Sequence, residues 1–158
     1  MIDIGVAKGT PWLYQFPEAK LVLVEPNPTF EPDLLRISAE HQADILPFAA
    51  GIVAGVLPLD VDLRGPSSSS FYAVSTELCA YWQGCGMDRP PEERQVEVRL
   101  LDLMIDQRYR QPFLIKIDTE GFELEVLKGA IATLAKAAYL IVETSVGKRH
   151  ERGAHSPT

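Results

Sequence analysis

The stretch that most constrains the fold runs from Phe113 to Ala130, FLIKIDTEGFELEVLKGA. It opens with an apolar run, Phe113-Leu114-Ile115, that continues through Ile117 with Lys116 as its only interruption. A short apolar run bounded by turn residues predicts a strand buried on both faces. Polarity then changes abruptly at Asp118, Thr119, Glu120 and Gly121. Beyond Gly121 the period changes too. Leu124, Leu127, Ile131 and Leu134 recur at three- and four-residue steps, which predicts one face of a helix. Asp118, Glu120 and Glu123 therefore sit where a buried strand hands over to a helix. In an open α/β sheet, that carboxyl end of the strands is where ligands bind. The plainer reading is a capped helix start, because Glu120 and Glu123 lie at a helix N-terminus, where the macrodipole favours negative charge.

The segment KIDTEGFELEVLKGA resembles the KIDxEGxExxVLKGA signature of the FkbM-type methyltransferases, through Lys116, Ile117, Asp118, Glu120, Gly121, Glu123, Val126, Leu127, Lys128, Gly129 and Ala130. The resemblance implies a class I enzyme that uses S-adenosylmethionine, typically for O-methylation. It also implies a Rossmann-like α/β fold. Together with the alternation of strand and helix patterns from Ile2 to Val142, it predicts five main parallel strands ordered 3-2-1-4-5 with helices on both faces.

The start of the chain fits that frame. Ile2-Asp3-Ile4 reads as a strand end and Gly5 to Gly9 as a glycine-bearing turn. Thr10 is placed to cap the next helix, with Pro11 in its first turn and Phe16-Pro17 ending it. Leu21 to Val24 is an apolar strand that ends in Glu25, followed by the turn Pro26-Asn27-Pro28 and a helix from Glu31 to about Glu40. Glycines let a backbone approach a ligand closely, and an acid after the next strand accepts hydrogen bonds from a ribose diol. The pattern D-x-G-x-x-x-G at Asp3, Gly5 and Gly9 is similar to motif I of class I methyltransferases. Glu25-Pro26-Asn27-Pro28 looks like the family's EPNP step. The resemblance thus implies cofactor contacts at Asp3, Gly5, Gly9, Glu25 and Asp118.

Further along, Ile45 to Ala49 is expected to be the third main strand, and the apolar Phe48-Ala49-Ala50-Gly51 leaves its adenine contact open. Leu57 to Leu63 alternates, with Pro58 marking an edge strand. Ser67 to Ser70 reads either as a linker or as the serine-bearing loop of the family, beside the pocket. Cys79 to Pro91 reads as a lid or a long surface loop. Gln95 to Leu100 alternates as a half-exposed strand, Asp102 is expected to be a helix cap, and Tyr139 to Val142 is the fifth main strand. The resemblance implies that residues 1–146 are one S-adenosylmethionine-binding methyltransferase-like domain, truncated at both ends. Residues 147–158 have no large apolar side chain and are expected to be a disordered tail.

Composition narrows the partners. Fifteen basic and twenty-two acidic residues give a formal charge of −7. A nucleic-acid partner needs a basic face, so this balance argues against one, while a cationic sulfonium is compatible with it. Cys79 and Cys85 have no His or Cys companions nearby, so no metal site is read, and reduced thiols suggest the cytoplasm. No basic leader follows Met1, and the longest uncharged run, Ile45 to Leu59, is broken by Pro47, Gly51, Gly55 and Pro58, so no membrane span is expected.

Methyl transfer to oxygen needs two centres in line and a base for the hydroxyl proton. The histidines fall on a peripheral helix (His41) or in the tail (His150, His155). A base would then be a carboxylate: Asp118, Glu120 and Glu143 end adjacent strands or follow them directly. Asp118 and Glu120 are the candidate catalytic residues, and either could instead orient the methionine end of the cofactor or bind a divalent metal. The acceptor class is a hydroxyl on a sugar or natural product. The competing reading is a non-catalytic Rossmann-like remnant that binds a cofactor or a partner. The family pattern is longer at both ends, with two more strands after the fifth. On this reading Tyr139 to Val142 is an apolar edge expected to self-associate.

Overall fold

The structure, a computed structural model, describes residues 1–63, 65–74, 91–144 and 150–151. In chain order the strands are β1 (Ile2–Ile4), β2 (Val22–Val24), β3 (Asp44–Leu46), β4 (Ala49–Ala50), β5 (Gly55–Val61), β6 (Ala73–Val74), β7 (Glu92–Arg99), β8 (Phe113–Ile117), β9 (Ala137–Val142) and β10 (His150–Glu151). The α-helices are α1 (Glu31–His41), α2 (Leu101–Met104), α3 (Glu123–Lys128) and α4 (Ile131–Leu134).

Five strands form the main sheet in the order β3-β2-β1-β8-β9, and every neighbouring pair is parallel. This is the 3-2-1-4-5 order, with β8 and β9 as the fourth and fifth main strands. Residues in β1, β2 and the end of β8 are buried on both faces, which is why these strands read as apolar runs interrupted only by Asp3 and Lys116. On one face, Leu21 and Leu23 meet Leu13, Phe30, Leu34 and Ile37 from the first loop and α1. On the other, Ile2, Ile4, Val24, Ile115 and Ile117 join a larger core with Phe122, Val126 and Ala130.

That larger core is closed by a second sheet, ordered β4-β7-β5, which the sequence pattern did not reveal as a unit. The third main strand stops at Leu46, short of the expected Ala49. Pro47 has no N–H to continue the ladder, and Ala49–Ala50 pairs with β7 instead. Val96 and Val98 of β7 are buried and their neighbours exposed, as the alternation predicts. Pro58 lies in β5, at the edge of this sheet.

Two local expectations are corrected. Thr10 does not cap a helix. Between Pro11 and Phe16-Pro17 there is room for one 3-10 turn, Leu13–Gln15, which has no side-chain cap. The helix after Gly121 is two short helices broken at Gly129-Ala130. Its buried face is Phe122, Val126, Ala130 and Thr133, while Leu124 and Ile131 are 48% and 69% exposed. The leucine spacing and the buried spacing are both helical, and only the position of the core chooses between them. Asp102 is a helix cap, as expected, and the helix it caps is α4: its carboxylate accepts the Ala132 and Thr133 N–H groups at 2.9 and 2.7 Å. Of the tail, His150–Glu151 is described and pairs antiparallel with Ala73–Val74. The rest of the tail, and the Cys79 segment through residue 90, lie outside the described residues.

The Gly129 of the signature segment has a packing role. A Cβ there would stand 2.0 Å from the Gly51 carbonyl oxygen, so the end of α3 can lie on the β4 turn only without a side chain. Gly129→Ala is expected to destabilise the fold by roughly 1–3 kcal/mol through overpacking. A shift of the urea midpoint at constant slope would measure it, and an unchanged midpoint would count against the close approach.

Candidate active site

At the carboxyl ends of β1, β2 and β8, the loops that follow enclose a cavity of about 520 Å³. Gly5, Gly9, Glu25, Asp118 and Glu120 all line it, as do Lys116 and Glu143. Its apolar wall comes from Ala49, Ala50, Leu59, Phe71 and Phe122. After the third strand, the cavity is bordered by the small side chains of Ala49 and Ala50.

The first loop approaches β8 more closely than a side chain would allow. Gly5 has φ +76°, and a Cβ on it would stand 1.7 Å from the Asp118 carbonyl oxygen. Gly9 has φ +111° and donates its N–H to the Val6 carbonyl at 2.8 Å. Both positions need glycine for backbone reasons.

Glu25 joins this loop to the turn after β2. Its carboxylate accepts the Ala7 N–H at 2.9 Å and the Asn27 N–H at 2.8 Å. Burial pushes the Glu25 carboxyl above its usual range. The two N–H bonds and the Lys116 charge pull the other way, and Asp3 adds to the rise.

Asp3 is placed differently from the other predicted residues. It is fully buried and does not line the cavity. Its Oδ2 accepts the Tyr14 hydroxyl at 2.6 Å, and its Oδ1 stands 3.3 Å from Lys116 Nζ. That second contact is an ion pair outside hydrogen-bond geometry, since Oδ1 makes no hydrogen bond. Burial first, then the Asp3 carboxylate, raise the Tyr14 phenol above its ordinary pKa. Asp3 therefore supports the floor of the site from beneath.

Lys116 is the residue that pattern reading passed over. Its Nζ donates to the Gly5 carbonyl at 2.9 Å and stands 3.2 Å from Asp118 Oδ2. A signal for it was present: Asp3 and Lys116 are the single charges in two apolar strands, and the 3-2-1-4-5 order sets those strands side by side. The register pairs them directly.

The turn after β8 is shaped from within. Glu120 has φ +51° and Gly121 φ +102°. The Glu123 carboxylate accepts the Thr119 and Gly121 N–H groups at 3.0 and 2.9 Å, and the Thr119 hydroxyl at 3.2 Å. Glu123 thus holds the turn. The serine loop then ties the rim together: Asn27 donates to the Ser69 hydroxyl at 3.1 Å, and the Ser70 hydroxyl donates to the Glu120 carbonyl at 2.7 Å. Among the described residues no cluster of three or more His, Cys, Asp or Glu side chains is arranged to hold a metal. Among them, no helix is long and apolar enough to cross a membrane.

Comparison with known proteins gives consistent findings. A family model of the methyltransferase FkbM domain matches residues 3–157. The chain is 26% identical over 145 residues to the hexuronic acid methyltransferase AglP of Haloferax volcanii, across 92% of this chain and 55% of that protein. The crystal structure of methyltransferase FkbM from Methylobacillus flagellatus superposes with a TM-score of 0.56 at 18% identity, across 90% of this chain and 32% of that one. That likeness concerns the fold alone. The chain spans about half the length of the curated relative it matches.

The glycine at the floor gives a direct test. Gly5→Ala combines a left-handed backbone with a collision against the Asp118 carbonyl. It is expected to cost at least about 1 kcal/mol of stability. Thermal unfolding checks this, and a variant that melts with the wild type would show that the first loop does not sit against β8.

Proposed function

The chain belongs to the FkbM methyltransferase family, and from that premise we propose that it transfers a methyl group from S-adenosylmethionine to a hydroxyl of a sugar or natural product. The observation that carries this reading is one cavity bounded by the Gly5–Gly9 loop, Glu25 and Asp118. Its volume falls within the range of small-molecule pockets, roughly 300–1,000 Å³. The residues present fit the cofactor: Gly5 leaves space that a Cβ would fill, and acidic side chains complement a sulfonium and a ribose diol. When bound, S-adenosylmethionine supplies an electrophilic methyl carbon.

The chain's own residues then have distinct tasks. Glu25 accepts hydrogen bonds from the ribose hydroxyls, with Ala7 and Asn27 holding its carboxylate in place. The Gly5–Gly9 backbone seats the cofactor. Asp118 and Glu120 are the carboxylates available to take the proton of the acceptor hydroxyl. The action of the Haloferax relative on a hexuronic acid supports a sugar-derived acceptor. The two isolated cysteines support a cytoplasmic setting.

The same reading extends to the outer edge of β9. Tyr139, Leu140 and Ile141 are 69%, 45% and 39% exposed, and β9 ends the main sheet among the described residues. An apolar edge with open backbone groups favours strand pairing, and we assign it to a second copy of the chain. Light scattering over a concentration series is expected to show association. A monomer at high concentration, with slow amide exchange on both sides of Ile141, would refute this.

Calorimetric titration with S-adenosylmethionine, followed by transfer of a labelled methyl group to a panel of sugars, tests the reaction itself. Glu25→Ala is expected to weaken cofactor binding by roughly 1.5–3 kcal/mol, the loss of a charge-assisted hydrogen bond. Equal affinities in wild type and variant would remove Glu25 from the ribose site.

A further inference from the structure

We propose that Lys116 is the positioning residue of this site: it locks the Gly5 end of the first loop to the Asp118 carboxylate, so that ligand seat and facing acid are held as one unit. The part of this inference that concerns cofactor binding rests on the S-adenosylmethionine reading; the part that concerns the loop does not.

The argument starts from where the lysine is. Its side chain is 9% exposed, in the middle of a parallel sheet, between the fully buried Ile115 and Ile117. An apolar residue would fill such a place at no desolvation cost. The plain explanation is a counter-ion for buried Asp3, at 3.3 Å. That explanation leaves two contacts unused. Nζ also donates to the Gly5 carbonyl at 2.9 Å and pairs with Asp118 Oδ2 at 3.2 Å. Three oxygens from two strand ends therefore converge on one ammonium group.

Each of the two extra contacts acts on a part of the cavity. Gly5 begins the loop whose Ala7 N–H orients Glu25. Asp118 is held by its backbone N–H on the Ile4 carbonyl at 3.0 Å and by its carbonyl oxygen against Gly5. Lys116 engages Oδ2 of its side chain, and Oδ1 makes no hydrogen bond among the described residues. One oxygen is fixed and the other is available to a ligand. Lys116 borders the cavity, but its ammonium group is taken up by Asp3, the Gly5 carbonyl and Asp118, so its role is to position the groups that hold a ligand and not to react.

The single substitution Lys116→Met leaves Asp3 buried without its cation and could unfold the chain for that reason alone. The informative comparison is therefore between Asp3→Asn and the double variant Asp3→Asn/Lys116→Met. In both, the buried charge of Asp3 is gone. Amide exchange of Ala7 and Gly9 is measured without ligand, and S-adenosylmethionine affinity is measured by calorimetry. If Lys116 positions the site, the double variant melts close to the single one, its two loop amides exchange at least tenfold faster, and its affinity is at least tenfold lower. If Lys116 is only the partner of Asp3, the two variants agree in exchange and in affinity, and the proposal is overturned. Failure of the wild-type chain to bind S-adenosylmethionine would refute the cofactor reading separately, while the ligand-free exchange rates still decide the role of Lys116.

Discussion

A buried charge pair in the seam between β1 and β8 underlies the arrangement of the cavity. Asp3 and Lys116 face each other across two parallel strands whose other residues are all apolar. Taking two charges out of water costs several kcal/mol per ion, and the mutual attraction returns that cost only with good geometry and further hydrogen bonds. Here the further partners are Tyr14 on Asp3, and the Gly5 carbonyl and Asp118 on Lys116. Such a pair is weak evidence for stability, since an apolar replacement of both is often neutral, whereas removing one partner typically costs about 3–5 kcal/mol. What the pair adds is register: a slip of either strand by one residue would leave both charges in the core unmatched.

Above this seam, the rim is a circuit of loops that hold one another. Glu25 ties the first loop to the turn after β2, Asn27 ties that turn to the serine loop, and Ser70 ties the serine loop to the turn after β8. Each link is a single hydrogen bond or a pair, individually modest. Because the links run in series around the cavity, the wall is preorganised without a continuous secondary structure. The residues flanking this circuit, Ala49, Ala50, Phe71 and Phe122, supply the apolar surface that a small-molecule pocket needs beside a few polar groups.

Several residues that the signature segment brought forward divide into two kinds once the contacts are known. Asp118 and Glu120 line the cavity. Glu123 folds back to hold the turn, and Gly129 lets α3 rest on the β4 turn. Asp3 lies beneath the cavity, against Tyr14 and Lys116. The serines gained individual tasks as well, Ser69 toward Asn27 and Ser70 toward Glu120. None of these assignments follows from spacing along the chain, because each depends on a partner between 2 and 113 residues away in sequence.

The order of the main strands, their parallel pairing, and the placement of Gly5, Gly9, Glu25, Asp118 and Glu120 around one cavity were determined by the sequence on its own. They were legible through the alternation of strand and helix patterns, the glycines and acids at strand ends, and the resemblance of the signature segment to the family. Tertiary structure alone decided which face of the Gly121–Leu134 segment is buried, which helix Asp102 caps, where β4 leaves the main sheet, and what Lys116 holds. Those outcomes depend on what approaches from elsewhere in the chain. Two helical faces of similar apolarity are told apart only by the position of the core. A buried charge acquires its role only when strands 111 residues apart are brought within a hydrogen bond of each other.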